Sequence, residues 1–171
     1  MHRLQLEHII RAAAGITGAA EFVIVGSQSV LGQFPQAPDE LLVSIEADIF
    51  SLRDPADSDL IDGSIGEGSP FHQTFGYYAH GISEETAVLP VGWRERLIPV
   101  HNQNTGGGTG LCLEIHDLAV SKLVAGRERI LILLVACCAI IWRKLPSFGN
   151  GWWSPRYRRN DFKSAWLGWI D

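Results

Sequence analysis

The sequence predicts a single α/β or α+β domain, and three observations carry that prediction. A helical pattern over residues 3–14 leads through two glycines into a short, continuous, β-branched stretch, Glu21–Gly26. A second stretch, Leu41–Phe50, alternates with period two. A strong helical segment opens at His116-Asp117, directly after a short apolar run. Helix and strand patterns that alternate along one chain call for a layered sheet with helices packed on it. The 171 residues are enough for one such core.

The elements follow in order. Over 3–14, Leu4, Leu6, Ile9, Ile10 and Ala13 recur at helical spacing, and Gly15 and Gly18 stop the helix. Glu21–Gly26 reads as a strand buried on both faces. Ser27–Phe34 reads as a short helix, and Gln33–Glu40, with two prolines, as a loop. In Leu41–Phe50, Val43, Ile45, Ala47 and Ile49 share one face. Leu42, Ser44, Glu46, Asp48 and Phe50 share the other. Asp54-Pro55 punctuates the chain before a short helix whose early acids suit the helix dipole. Phe75–Tyr78 and Glu85–Leu89 read as strands, and Trp93–Val100 as a turn entering another. His101–Gly110 reads as a polar, flexible glycine loop, Leu111–Glu114 as a short strand, and DLAVSKLVAGRER as the next helix. The chain has no internal repeat.

Bulk composition is that of a globular protein: 46% hydrophobic, 19% charged, formal charge −5. That balance gives no sign of a nucleic-acid binder. The charge is unevenly spread. Residues 1–126 carry 6 Lys+Arg and 16 Asp+Glu, whereas residues 127–171 carry 8 and 3 and five of the six tryptophans. Cys112, Cys137 and Cys138 form neither a disulfide framework nor a zinc pattern. The N-terminal MHRLQLEHIIRAAAG is amphipathic rather than signal-like, so a reducing, cytoplasmic setting is expected. The longest apolar run, Ile130–Trp142, has thirteen residues, short of the roughly 18–20 of a transmembrane helix.

The chemistry concentrates at Gly26-Ser27 and Glu46-x-Asp48. Glycine lets a ligand approach the backbone closely. Serine at a helix start offers a hydroxyl and an amide to phosphate oxygens. Carboxylates at i and i+2 on a strand point to one face, near enough to share a divalent cation. Magnesium prefers one or two carboxylates plus substrate phosphate oxygens. The alternative is an ordinary helix cap at Ser27 and two surface acids.

This arrangement resembles the minimal nucleotidyltransferase fold of the DNA polymerase beta superfamily. Residues 4–129 look more closely like a bacterial nucleotidyltransferase-like family related to abortive-infection nucleotidyltransferase toxins. The matching stretches are LEHIIRAAAGITG, FVIVGSQSVLGQFPQAPDELLVSIEADIF, LIDGSIGEGSPFHQTFGYYAHGI and CLEIHDLAVSKLVAGRER. The resemblance implies a mixed sheet flanked by helices, a Mg²⁺ cofactor and a nucleoside triphosphate substrate. By position, Gly26 and Ser27 would hold the triphosphate, and Glu46 and Asp48 would bind the metal. Glu46 stands where the superfamily usually has Asp. Active members carry a third acid on a later strand, for which Glu114 is the candidate, so Glu46, Asp48 and Glu114 form the expected catalytic set. Asp117 is an alternative helix cap. Lys122, on the following helix, would face a phosphate; the alternative is a lysine snorkelling from a half-buried helix. Arg127 belongs to the same constellation. The acceptor would be RNA or protein, and a toxin-like role would bring an antitoxin or other protein partner. The competing function is a catalytically inactive relative that serves as a nucleotide-binding or protein-interaction module.

The six histidines show no paired metal spacing. His80 and His116 read as surface or supporting groups, and Cys112 as a small core residue. The glycine run 106–108 is followed by no lysine or helix start, so it reads as a turn. After Arg129 the pattern breaks, dividing the chain into a nucleotidyltransferase-like domain, 1–129, and an atypical tail, 130–171. The tail reads as an aromatic and basic extension that docks on a partner or membrane, as a completion of the core, or as out of frame. Relatives continue VAGRE as a charged amphipathic helix, so the resemblance supports a frameshift near codon 129. Translation of the other two frames decides it, and the idea fails if neither continues such a helix.

Overall fold

A computed structural model describes residues 1–126; Arg127 and the 130–171 tail, with the frameshift reading, lie outside the described residues. The described chain is mixed α and β: five helices and one five-stranded mixed sheet.

Helix α1 spans Arg3–Thr17 and buries Leu6, Ile9, Ile10 and Ala13 along one stripe. It runs through Gly15 and ends at Gly18, whose left-handed φ of 72° lets its N–H bond the Ala14 carbonyl. Strand β1, Glu21–Val25, is buried from Phe22 onward, as expected of a central strand. It leads through a 3₁₀ turn, Ser27–Ser29, into α2, Val30–Gln33. Strand β2 is Glu46–Ser51 and α3 is Asp57–Ile65. Helix α4, Pro70–Phe75, precedes β3, Tyr78–Gly81. Strands β4, Ile98–Val100, and β5, Thr109–Cys112, lead into α5, Ile115–Val124.

The sheet order is β3-β2-β1-β5-β4. β1 pairs antiparallel with β2 and parallel with β5; β2 pairs parallel with β3, and β4 antiparallel with β5. Helices α1 and α3 pack together on one face. A Cβ at Gly110 of β5 would overlap Ile10 of α1 and Ile24 of β1, so the missing side chain sets how closely α1 approaches. Strand alternation places Ile24, Ala47 and Ile49 on that helix-covered face. Val25, Glu46, Asp48 and Phe50 fall on the other.

The expected strands need four corrections. The second strand starts at Glu46, not Leu41: the Ser44 carbonyl accepts from the Gln28 side chain, and Val43 and Ile45 are exposed. The strand expected at 75–78 begins at Tyr78, because Ser69 caps a short helix with Pro70 at its first position. Glu85–Leu89 is not a strand; Glu84–Thr86 forms a 3₁₀ turn closed by the Thr86 hydroxyl on the Ser83 carbonyl. The strand expected at 111–114 runs from Thr109 to Cys112. The polar loop before it is tied down: Asn102 and Asn104 both donate to the buried Glu7 carboxylate, at 2.8 Å each.

Candidate metal centre

The site grows from strand pairing. In β1 and β2, Val25 lies opposite Asp48, so the chain leaves β1 at Gly26 directly over that carboxylate. Gly26 has φ 70° and ψ −169°, a conformation that essentially only glycine adopts. A Cβ there would overlap Asp48 Oδ2. Gly26 thus serves both the turn and the seating of the acid. Ser27 opens the 3₁₀ turn that follows, half-buried, and the Ser29 hydroxyl donates to the Gly26 carbonyl at 2.9 Å.

The third member comes from β3. Its parallel register sets Tyr78 beside Glu46 and His80 beside Asp48. The Tyr78 phenol donates to Glu46 Oε2 at 2.9 Å. His80 Nδ1 lies 3.2 Å from Asp48 Oδ1 and 3.3 Å from Glu46 Oε1. One donor atom from each of Glu46, Asp48 and His80 falls within 4.8 Å of the others, a spacing compatible with one shared cation.

The electrostatics follow from crowding two carboxyls together. Burial, reinforced by the neighbouring Glu46, pushes the Asp48 carboxyl up to about 6. Glu46 goes the other way: burial would raise it, but hydrogen bonds from Asp48, Tyr78 and His80 outweigh that and lower it. The imidazole of His80 is raised, because Asp48 and Glu46 favour its cation more than burial disfavours it. Burial, with Glu46 adding to it, pushes the Tyr78 phenol up to about 12, so it stays a donor. Once Asp48 ionises above about 6, two like charges share this corner, and a divalent cation would relieve their repulsion.

The expected site residues are only partly brought together. Gly26, Ser27, Glu46 and Asp48 share one corner of the sheet. Glu114 stands apart from the Glu46–Asp48–His80 cluster: it caps α5, accepting from the His116 N–H at 2.7 Å, and its carboxylate pairs with the His116 ring. Asp117 is a buried partner of Arg96, through two bonds of 2.8 and 2.9 Å, rather than the cap. Lys122 lies half-buried on α5, which packs against the Ser27–Ser29 turn. Cys112 is fully buried, with its thiol pushed up to about 12, which fits a core residue. His80 is the residue that sequence reading undervalued. Its signal, a histidine two past a tyrosine on a strand, gains meaning only through the pairing with β2.

At the end of β2 beyond the cluster, Phe50 and Ile82 line a cleft of about 790 Å³, with Trp93, Arg94, Ser58 and Ser83 among its other walls. Phe50 is two residues beyond Asp48 on β2, a step of roughly 7 Å along the strand, and Ile82 directly follows the end of β3. Because β1 and β2 run antiparallel, the cleft lies across the carboxylates from Gly26-Ser27. Phe50 and Trp93 meet edge to face, 6.3 Å between centroids.

Among the described residues no helix is long and apolar enough to cross a membrane. Comparison with protein-family models, curated proteins and solved structures gives no match to the chain. Function is therefore read from the chemistry of the site.

Proposed function

We propose that the chain is a divalent-metal-dependent nucleotidyltransferase, moving a nucleotidyl group from a nucleoside triphosphate to an acceptor. The observation that carries this reading is the convergence of Glu46, Asp48 and His80 beside the glycine-serine turn. Glu46, Asp48 and His80 would hold the cation. When bound, it would neutralise charge on the phosphates. Gly26 and Ser27 would receive the triphosphate, with backbone close enough to bond its oxygens. Lys122, on the helix packed against that turn, would add a phosphate contact. The acceptor would enter from the Phe50–Trp93 side, opposite the triphosphate. Its oxygen forms a bond to the α-phosphorus as the bond to pyrophosphate breaks. Its proton passes to water, the cation lowering the pKa of that hydroxyl when bound. A toxin-like enzyme held in check by a protein partner is the biological setting this proposal favours.

A second reading is a nucleotide-binding module without transfer activity. It is favoured by the acid set: Glu114, the expected third acid, caps α5, and the third group beside Glu46 and Asp48 is His80. Incubation with labelled nucleoside triphosphates, a divalent cation and total cellular RNA and protein separates the two. Transfer that is lost in Asp48→Ala supports the enzyme; binding of nucleotide without transfer supports the module.

A further inference from the structure

We propose that this centre selects a first-row transition ion of the Mn²⁺ or Zn²⁺ class over Mg²⁺. The inference rests on the reading of Glu46, Asp48 and His80 as a cation site and names its cation. Magnesium takes oxygen ligands, demands near-ideal octahedral geometry and dehydrates reluctantly. Imidazole nitrogen suits zinc and its neighbours, whereas carboxylate oxygen suits manganese as well as magnesium. A set of two carboxylates and one imidazole therefore shifts preference toward ions that accept both donor types.

The imidazole is built into the set rather than adjacent to it. Strand register places His80 beside Asp48, and Nδ1 faces both carboxylates at 3.2 and 3.3 Å. The Tyr78 phenol fixes the Glu46 carboxylate from outside, as partners of metal ligands commonly do. The bare Gly26 backbone leaves Asp48 the room to sit where it does. Removing the imidazole while keeping an oxygen donor, in His80→Asp, turns the same corner into an all-oxygen site.

The test uses the full chain, stripped of metal by a chelator, with Mn²⁺, Zn²⁺ and Mg²⁺ each titrated alone by calorimetry. Mn²⁺-loaded protein is also examined by pulsed electron paramagnetic resonance for coupling to a coordinated ¹⁴N. The wild type is expected to bind Mn²⁺ and Zn²⁺ more tightly than Mg²⁺ and to show the nitrogen coupling. In His80→Asp the ratio of Mn²⁺ to Mg²⁺ affinity should fall by about tenfold, the lower end of what reshaping a metal's surroundings costs, and the coupling should vanish. His80→Gln serves if the aspartate variant does not fold, and the wild-type spectrum needs no variant. Equal affinity for Mn²⁺ and Mg²⁺, absence of nitrogen coupling, or Zn²⁺ binding unchanged in Glu46→Gln/Asp48→Asn would each overturn the proposal. Nitrogen-coupled Mn²⁺ without label transfer leaves the cation assignment standing and removes the catalytic reading. Transfer supported by Mg²⁺ without nitrogen coupling does the reverse.

Discussion

Replacing Asp48 by Asn tests whether the carboxylate pair is held together against its own charge. Burial and the nearby Glu46 push the Asp48 carboxyl from 3.8 to about 6. A raised carboxyl binds its proton more tightly in the folded state than in the unfolded one. That contribution to stability is complete below the unfolded value of 3.8 and is lost as pH rises through about 6. A shift of this size corresponds to about 3 kcal/mol. The Asp48 side chain is 29% exposed, and only the part between about pH 4.5 and pH 8 is read, so we expect about 2 kcal/mol. His80, also raised, adds in the same direction. Asparagine keeps the shape and removes the charge. Denaturant unfolding across that range should show the wild type losing about 2 kcal/mol more than Asp48→Asn. A saturating divalent cation at about pH 8 should restore stability to the wild type alone, since a ligand bound only by the folded state stabilises it. Parallel pH profiles for the two proteins, or a variant less stable than the wild type at about pH 8 without metal, would refute the reasoning.

Three further outcomes follow from the geometry. Gly26→Ala forces a Cβ into Asp48 Oδ2 at a φ of 70°, so unfolding should show a loss of about 1–3 kcal/mol, and calorimetry weaker cation binding. Glu114→Ala removes a helix cap and should cost about 1 kcal/mol, while cation binding and label transfer stay unchanged. In Glu7→Ala the buried acceptor for Arg3, Asn102 and Asn104 is lost, which should cost about 2 kcal/mol and speed amide exchange over Asn102–Thr105. Burial would raise the Glu7 carboxyl, but those three donors outweigh it and hold the group below its ordinary 4.5. Its contribution to stability is present above pH 4.5 and is lost as pH falls through the lowered value.

The sequence made some of this architecture legible because the signals were local. The α1 stripe, the buried β1, the glycine-serine turn and the i, i+2 acids each sit within a few residues. Glycine at position 26 could be tied to close backbone approach, although the group that approaches it in the structure is Asp48. His80 was not legible, because its role depends on parallel pairing with a strand more than thirty positions earlier, and pattern alone does not fix that register. Glu114 misled for a related reason. An acid between a strand and a helix fits a catalytic position and a helix cap equally in sequence, and the backbone N–H of His116 decides between them. Helix α4 had a readable signature in Ser69-Pro70, but the aromatic residues of Phe75–Tyr78 favoured a strand. Phe71 and Phe75 instead cluster around His8 of α1.

We propose Glu46, Asp48 and His80 as a metal centre for nucleotidyl transfer next to Gly26-Ser27. Label transfer from α-³²P-labelled nucleoside triphosphates, with Mn²⁺ or Mg²⁺ supplied in turn, tests it most directly when wild type and Asp48→Asn are compared at equal folded concentration. Label on an acceptor is expected with the wild type, dependent on the cation and lost by at least a hundredfold in the variant, about 3 kcal/mol of transition-state stabilisation. Equal transfer by both proteins, or no transfer by wild type that binds both cation and nucleotide, would contradict it.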